Sequence, residues 1–147
     1  MYTIGKISEM FKLPISTLRY YDREGLFPNM KRDSGIRKFG EEEIETLRVI
    51  ECLKKSGLEI KDIKQFIAWC REGAETYPKR LALFKAQRAQ VEAEIDRMNQ
   101  VLDMIVYKTW YYETALAEGS EARLAAMAPQ DMPADIRAAY ENAHRQL

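Results

Sequence analysis

Between Pro78 and Ala117, apolar side chains recur at alternating steps of three and four: Leu81, Phe84, Val91, Ile95, Met98, Leu102 and Ile105, with Arg88 the exception. This spacing gathers them into one stripe on an α-helix, the seam of a coiled coil. A helix of roughly 40 residues is about 60 Å long, more than a small domain covers by itself, so the stripe needs a partner. At about 1.5 to 3 kcal/mol for each buried apolar side chain, the seam contributes on the order of 10 to 20 kcal/mol per chain before ordering costs. Residues 77–117 are therefore expected to form a dimerisation helix that pairs with a second copy. The segment from Glu118 onward has too few apolar residues to cover the seam instead.

What precedes the helix is short enough to be one small domain. A first helix starts after Thr3, a good N-cap, and is expected to bury Ile4, Ile7, Met10 and Phe11. Pro14 marks the start of a second, and Gly25 supplies the left-handed residue that ends it. At 100° per residue, Ser16, Arg19, Tyr20 and Arg23 fall within an arc of about 100°, with Ile15, Leu18 and Tyr21 on the other side. Two short helices with a tight joint make a helix-turn-helix, and these exposed groups are of the kind that bond phosphates and base edges in a major groove.

Asn29 to Phe39 carries Lys31, Arg32, Arg37 and Lys38 on two short arms around Asp33-Ser34-Gly35, which reads as a basic β-hairpin, a wing beside the reader helix. Four like charges held so close repel one another unless an anion is nearby. Net charge is zero overall, yet residues 1–40 hold eight Lys/Arg against four Asp/Glu, so the positive charge is local. A third helix opens at Gly40 with Glu41-Glu42-Glu43 and turns Ile44, Leu47, Ile50 and Leu53 inward. A fourth, from about Glu59 to Glu72, lines up Ile63, Phe66, Ile67 and Cys70 on one packed stripe. The tail from Glu118 is Ala-rich and polar, with Asp131 a candidate cap for a last helix holding Met132, Ile136, Tyr140 and Ala143 on one side.

The runs Ile4-Gly5-Lys6-Ile7-Ser8-Glu9, Thr17-Leu18-Arg19-Tyr20-Tyr21-Asp22-Arg23-Glu24-Gly25-Leu26, Gly35-Ile36-Arg37-Lys38-Phe39 and Leu53-Lys54-Lys55-Ser56-Gly57-Leu58 together resemble the MerR family of transcriptional regulators. The resemblance covers about the first 72 residues. It implies an all-α fold with a small β-hairpin wing: a winged helix-turn-helix DNA-binding domain at 1–72, a long antiparallel coiled-coil helix at 77–117, and a small C-terminal element at 118–147. It also implies a homodimer that binds a pseudo-palindromic promoter operator in double-stranded DNA and modulates transcription, with RNA polymerase, by distorting that DNA. Ser16, Thr17, Arg19, Tyr20, Arg23, Lys31, Arg32, Arg37 and Lys38 are the expected DNA contacts.

Two groups are candidates for receiving a signal. Cys52 has Arg48 four residues before it and Lys55 three after, and cations near a thiol favour the nucleophilic thiolate. Val49 to Leu58 resembles the aldehyde- and thiol-stress-responsive branch of the family, in which a cysteine at this place is the proposed sensor. Cys70, on its apolar stripe, is expected to be packed and inert. The alternative is an aromatic pocket formed by Tyr107, Trp110, Tyr111 and Tyr112 for a small molecule. The more ordinary fate of such a cluster is to pack against a partner chain or the tail, and His144 is expected to be solvated. A coiled-coil adaptor that does not bind DNA is the remaining alternative, but it leaves the basic groups of the reader and wing without a purpose.

No cofactor is expected. The two cysteines and single histidine have no zinc-site spacing, and soft-metal sensing needs thiolates beyond Cys70 that the chain lacks. Glycine-rich phosphate loops and Ser/His/Asp sets are absent, so no enzyme is expected. Without a signal peptide or a run of about 18 apolar residues, a soluble, cytoplasmic protein without membrane contact is expected.

Overall fold

The computed structural model describes residues 1–146. Two compact units divide the chain, one spanning Met1–Gln87 and the other running from Arg88 onward.

In the first unit, α1 (Ile4–Phe11) begins where the Thr3 hydroxyl accepts the Lys6 N–H, and it ends at Lys12 in the left-handed conformation. The Ser8 hydroxyl donates to the Leu13 carbonyl across the joint, and α2 (Ile15–Arg23) follows Pro14. Gly25, at φ +79°, turns the chain away, a conformation that other residues adopt only with strain. Strands β1 (Lys31–Asp33) and β2 (Ile36–Lys38) pair antiparallel through a two-residue turn in which both Ser34 and Gly35 have positive φ. That is the conformation demanded by the tight turn that best matches strand twist.

Helix α3 (Glu41–Lys55) starts at Gly40, whose N–H donates to the Glu43 carboxylate, and that carboxylate is buried there. Helix α4 (Ile60–Glu72) packs against it. Ile7, Leu18, Tyr21, Phe39, Leu47, Ile50 and Ile63 are essentially inaccessible and form one core to which both helix pairs and the wing contribute. A short 3-10 turn (Ala74–Thr76) then leads into α5 (Tyr77–Glu118). The Arg80 side chain fastens the start of α5 by donating to the carbonyls of Trp69 and Gly73 at the C-terminal end of α4, and to the Thr76 hydroxyl. Phe84 stacks edge-on against Phe66, with ring centroids 5.4 Å apart.

In the second unit, α6 (Ala122–Ala125) and α7 (Ala134–Ala143) fold back along α5. Leu124, Met132, Ile136 and Ala139 are buried, but much of the grip is polar. Asn142 donates to Asp103 at 2.6 Å, Gln100 to the carbonyls of Asn142 and Arg145, and Arg145 to Asp96 at 2.9 Å. The Tyr140 ring meets Tyr107 at 5.0 Å.

Four expectations need correction. Met10 is 45% exposed, because α1 is short and only its Ile4, Ile7 and Phe11 side reaches the core. Ile15, at the first turn of α2, stays at the edge of the core rather than inside it. Asp131 lies in a 3-10 turn (Pro129–Asp131), and α7 starts after Pro133 without a side-chain cap. Cys70 is exposed: it shares the side of the buried Ile63, but at the last turn of α4 the contact with α3 opens into a groove that leaves it uncovered.

Candidate nucleic-acid interface

Helix α2 is anchored from behind and open in front. Leu18 and Tyr21 point into the core, while Ser16, Arg19, Tyr20 and Arg23 are exposed and Thr17 is half-buried. Among the described residues, neither Arg19 nor Arg23 has a carboxylate in ion-pair reach. The anchor is a three-membered chain: the Tyr21 hydroxyl donates to Glu51 at 2.9 Å and accepts from the Lys54 ammonium at 2.7 Å, fixing α2 to α3. Burial, reinforced by the neighbouring Glu51 carboxylate, raises the Tyr21 pKa above its ordinary value. The hydrogen bond with Tyr21 raises that of Lys54.

The wing's register sets like charges face to face, Lys31 opposite Lys38 and Arg32 opposite Arg37. Such pairs are destabilising unless a counter-charge is present. For the arginines it is Asp22 on α2, whose Oδ2 accepts from Arg37 Nε at 2.7 Å and from Arg32 Nη2 at 2.9 Å. The anion that the crowded wing calls for is thus partly internal, and the same carboxylate ties the wing to the reader helix. Lys31 and Lys38 have no carboxylate in ion-pair reach among the described residues. Two unneutralised ammoniums on the wing and two guanidiniums on α2 form a surface fit to receive phosphates.

Asp22 and the Tyr21–Glu51–Lys54 chain were not visible in the sequence as functional. The charge crowding in the wing signalled a counter-ion, but its location depends on tertiary approach.

Elsewhere, Cys52 is exposed on α3. The cation expected beside it is otherwise engaged, since the Arg48 guanidinium pairs with Glu45. Cys70 opens onto an apolar groove of about 290 Å³ lined by Val49, Phe66 and Ile67. The aromatic group divides: Tyr107 packs on the tail through Tyr140, whereas Trp110 borders an open groove with Ile105, Val106 and Ile136. His144 is exposed beside Tyr140. The seam residues Leu81, Ile95, Met98, Leu102 and Ile105 are each 55–56% exposed, and Phe84 and Val91 somewhat less, so the stripe is uncovered in the single chain. No described helix is long and apolar enough to cross a membrane.

Two family models match the chain, the MerR HTH family regulatory protein over residues 2–68 and the MerR DNA-binding model over residues 44–106. An HTH-type transcriptional regulator of Haemophilus influenzae, itself uncharacterised, is 39% identical over 120 residues, 81% of this chain and 89% of its own length. Among solved structures, HiNmlR, a MerR family regulator lacking the sensor domain and bound to promoter DNA, is 39% identical with a TM-score of 0.60. The match covers 82% of this chain and 96% of that one. A MerR family transcriptional regulator from Bacillus thuringiensis is 45% identical with a TM-score of 0.57, over 74% of this chain and 96% of its own.

Proposed function

Because the chain belongs to the MerR family of DNA-binding transcriptional regulators, we propose that it binds a pseudo-palindromic promoter operator as a homodimer and changes transcription by distorting the DNA presented to RNA polymerase. Residues 1–72 carry the DNA contacts in this reading, 77–117 the dimer helix, and 118–147 an accessory element. Ser16, Thr17, Arg19, Tyr20 and Arg23 of α2 enter the major groove, and Lys31, Arg32, Arg37 and Lys38 of the wing hold phosphates alongside. The promoter complex of the HiNmlR relative supports the kind of target. The protein works in the cytoplasm, where promoters are, and has no catalytic step to perform.

The observation that carries this reading is the open face of α2, where Arg19 and Arg23 stand without a carboxylate partner among the described residues beside a wing with two uncompensated lysines. Arg19→Ala is expected to weaken operator binding by about 1 to 3 kcal/mol and relax sequence preference, whereas Lys31→Ala lowers affinity for all sequences and reduces the salt slope by about one. Fluorescence anisotropy on operator and unrelated duplexes over a range of salt concentrations measures both. Unchanged affinity in both variants removes α2 and the wing from the interface. For the signal, an electrophile reaching the exposed Cys52 is the input this reading assigns.

A further inference from the structure

The open stripe of α5 does not stop at Ile105. Thr109, Tyr112 and Leu116 continue the three-four spacing, and Tyr112 and Leu116 are 58% and 84% exposed. The tail grips Asp96, Gln100, Asp103 and Tyr107, and its Ile136 reaches the edge of the stripe at a groove beside Ile105, Thr109 and Glu113; the seam side chains and the charged positions flanking them stay exposed. Two such helices side by side have few ways to match.

Arg88, although its guanidinium is held by Glu92 at 2.7 Å, disfavours the parallel arrangement. There each seam residue meets its own copy, and two guanidiniums would be pressed together in an apolar layer. In an antiparallel pair the two kinds of seam position share a layer, and flanking residues face flanking residues on the same side of the partner. Centring the pair on Gln100 sets Met98 against the partner's Leu102 and Ile95 against the partner's Ile105. Arg88 then lies at the partner's Tyr112, where an aromatic face accommodates a cation. On the flanks, Glu94 faces the partner's Lys108 and Lys85 faces the partner's Glu113, each twice by symmetry; all four side chains are exposed in the single chain. Sliding one copy by a heptad destroys this match. In one direction Glu92 meets the partner's Glu113, and in the other Glu94 and Lys108 lose their opposite charges to the partner's Val101 and Gln87.

We propose that α5 pairs with a second copy of this chain in the antiparallel register centred on Gln100, selected by Glu94–Lys108 and Lys85–Glu113 pairs across the interface. The proposal rests on the homodimer reading above and adds its register, which flanking charges set more sharply than apolar contact does.

Charge reversal in the full-length chain tests it. Glu94→Lys and Lys108→Glu each set like charges together at both symmetry-related places, and each is expected to raise the dimer dissociation constant about tenfold. Combining both substitutions in one chain, or mixing the two single variants, restores opposite charges, so both preparations should return to within about threefold of the unaltered protein. Sedimentation gives the constants, and circular dichroism confirms that helicity is kept. A second measurement is independent of these charges: with Cys52 and Cys70 replaced by serine, Val101→Cys should be joined to its copy by a short bis-maleimide, and Gln90→Cys should not. Dimers that ignore the charge reversals and fail to link through position 101 overturn the register but leave the homodimer standing. An unaltered protein that sediments as a monomer overturns both.

Discussion

Asp22→Asn removes the charge shared by the two wing arginines while keeping the side chain's size and one accepting oxygen. The Asp22 side chain is 13% exposed and that of Arg37 21%, so their 2.7 Å bond is largely shielded; Arg32, at 46%, is screened by water and contributes little. A charge-assisted bond of the shielded kind is worth about 1.5 kcal/mol, to which the uncompensated facing of Arg32 and Arg37 adds about 0.5 kcal/mol. A loss of about 2 kcal/mol lowers the melting temperature of a small domain by on the order of 10 °C. DNA binding should move the other way. Removing the one carboxylate charge that offsets Arg32 and Arg37 lets the wing neutralise about one more phosphate charge, so at a slope of about 0.9 in log affinity against log salt the salt dependence steepens by about one. Affinity for unrelated DNA then rises while the preference for the operator shrinks. Thermal melting with and without DNA, together with anisotropy titrations over a range of salt concentrations, reads both effects. An Asp22→Asn variant with unchanged melting temperature and unchanged salt slope would refute the idea that this carboxylate clamps the wing.

Burial of the Tyr21 hydroxyl beside Glu51, and the bond Lys54 makes to it, predict an alkaline limit. Both groups titrate higher in the folded chain than their ordinary values of 10.0 and 10.5, so their stabilisation is complete below about pH 10 and is lost as pH rises through the folded values. Melting temperature should therefore fall steeply above pH 10, and Tyr21→Phe should flatten that fall; an equally steep decline in the variant would place the cause elsewhere. The exposure of both thiols predicts that Cys52 and Cys70 are each labelled by a maleimide in the native protein. Peptide mass spectrometry finding Cys70 protected until unfolding would contradict its position at the rim of α4.

Local features were legible and long-range polar ones were not. Thr3, Gly25 and the Ser34-Gly35 turn act on their immediate neighbours, so residue type alone indicates what they do. The core positions of α3 follow from periodicity, because a helix buried along one side repeats its environment every three to four residues. Cys70 misleads for the same reason: helical phase predicts which side a residue lies on, but not whether the neighbouring helix extends far enough to cover it. The hold of the tail on α5 through Asp96, Gln100 and Asp103 was unreadable, since polar residues on a helix look solvated until a specific partner arrives. Asp22 belongs with these, its partners lying ten and fifteen residues along the chain.

The tail folded along α5 also limits how large an assembly this helix can build. A helix with two uncovered apolar sides recruits a neighbour on each, and every newcomer offers a further side, which is how bundles and filaments grow. Here the second side is closed from within, by Met132, Ile136 and Ala139 and the polar clasp around Asn142. One adhesive stripe remains along the second unit, and an isologous, antiparallel match with its own copy closes it on both chains at once. Association through α5 therefore saturates at two, and raising the concentration fills that state without extending it.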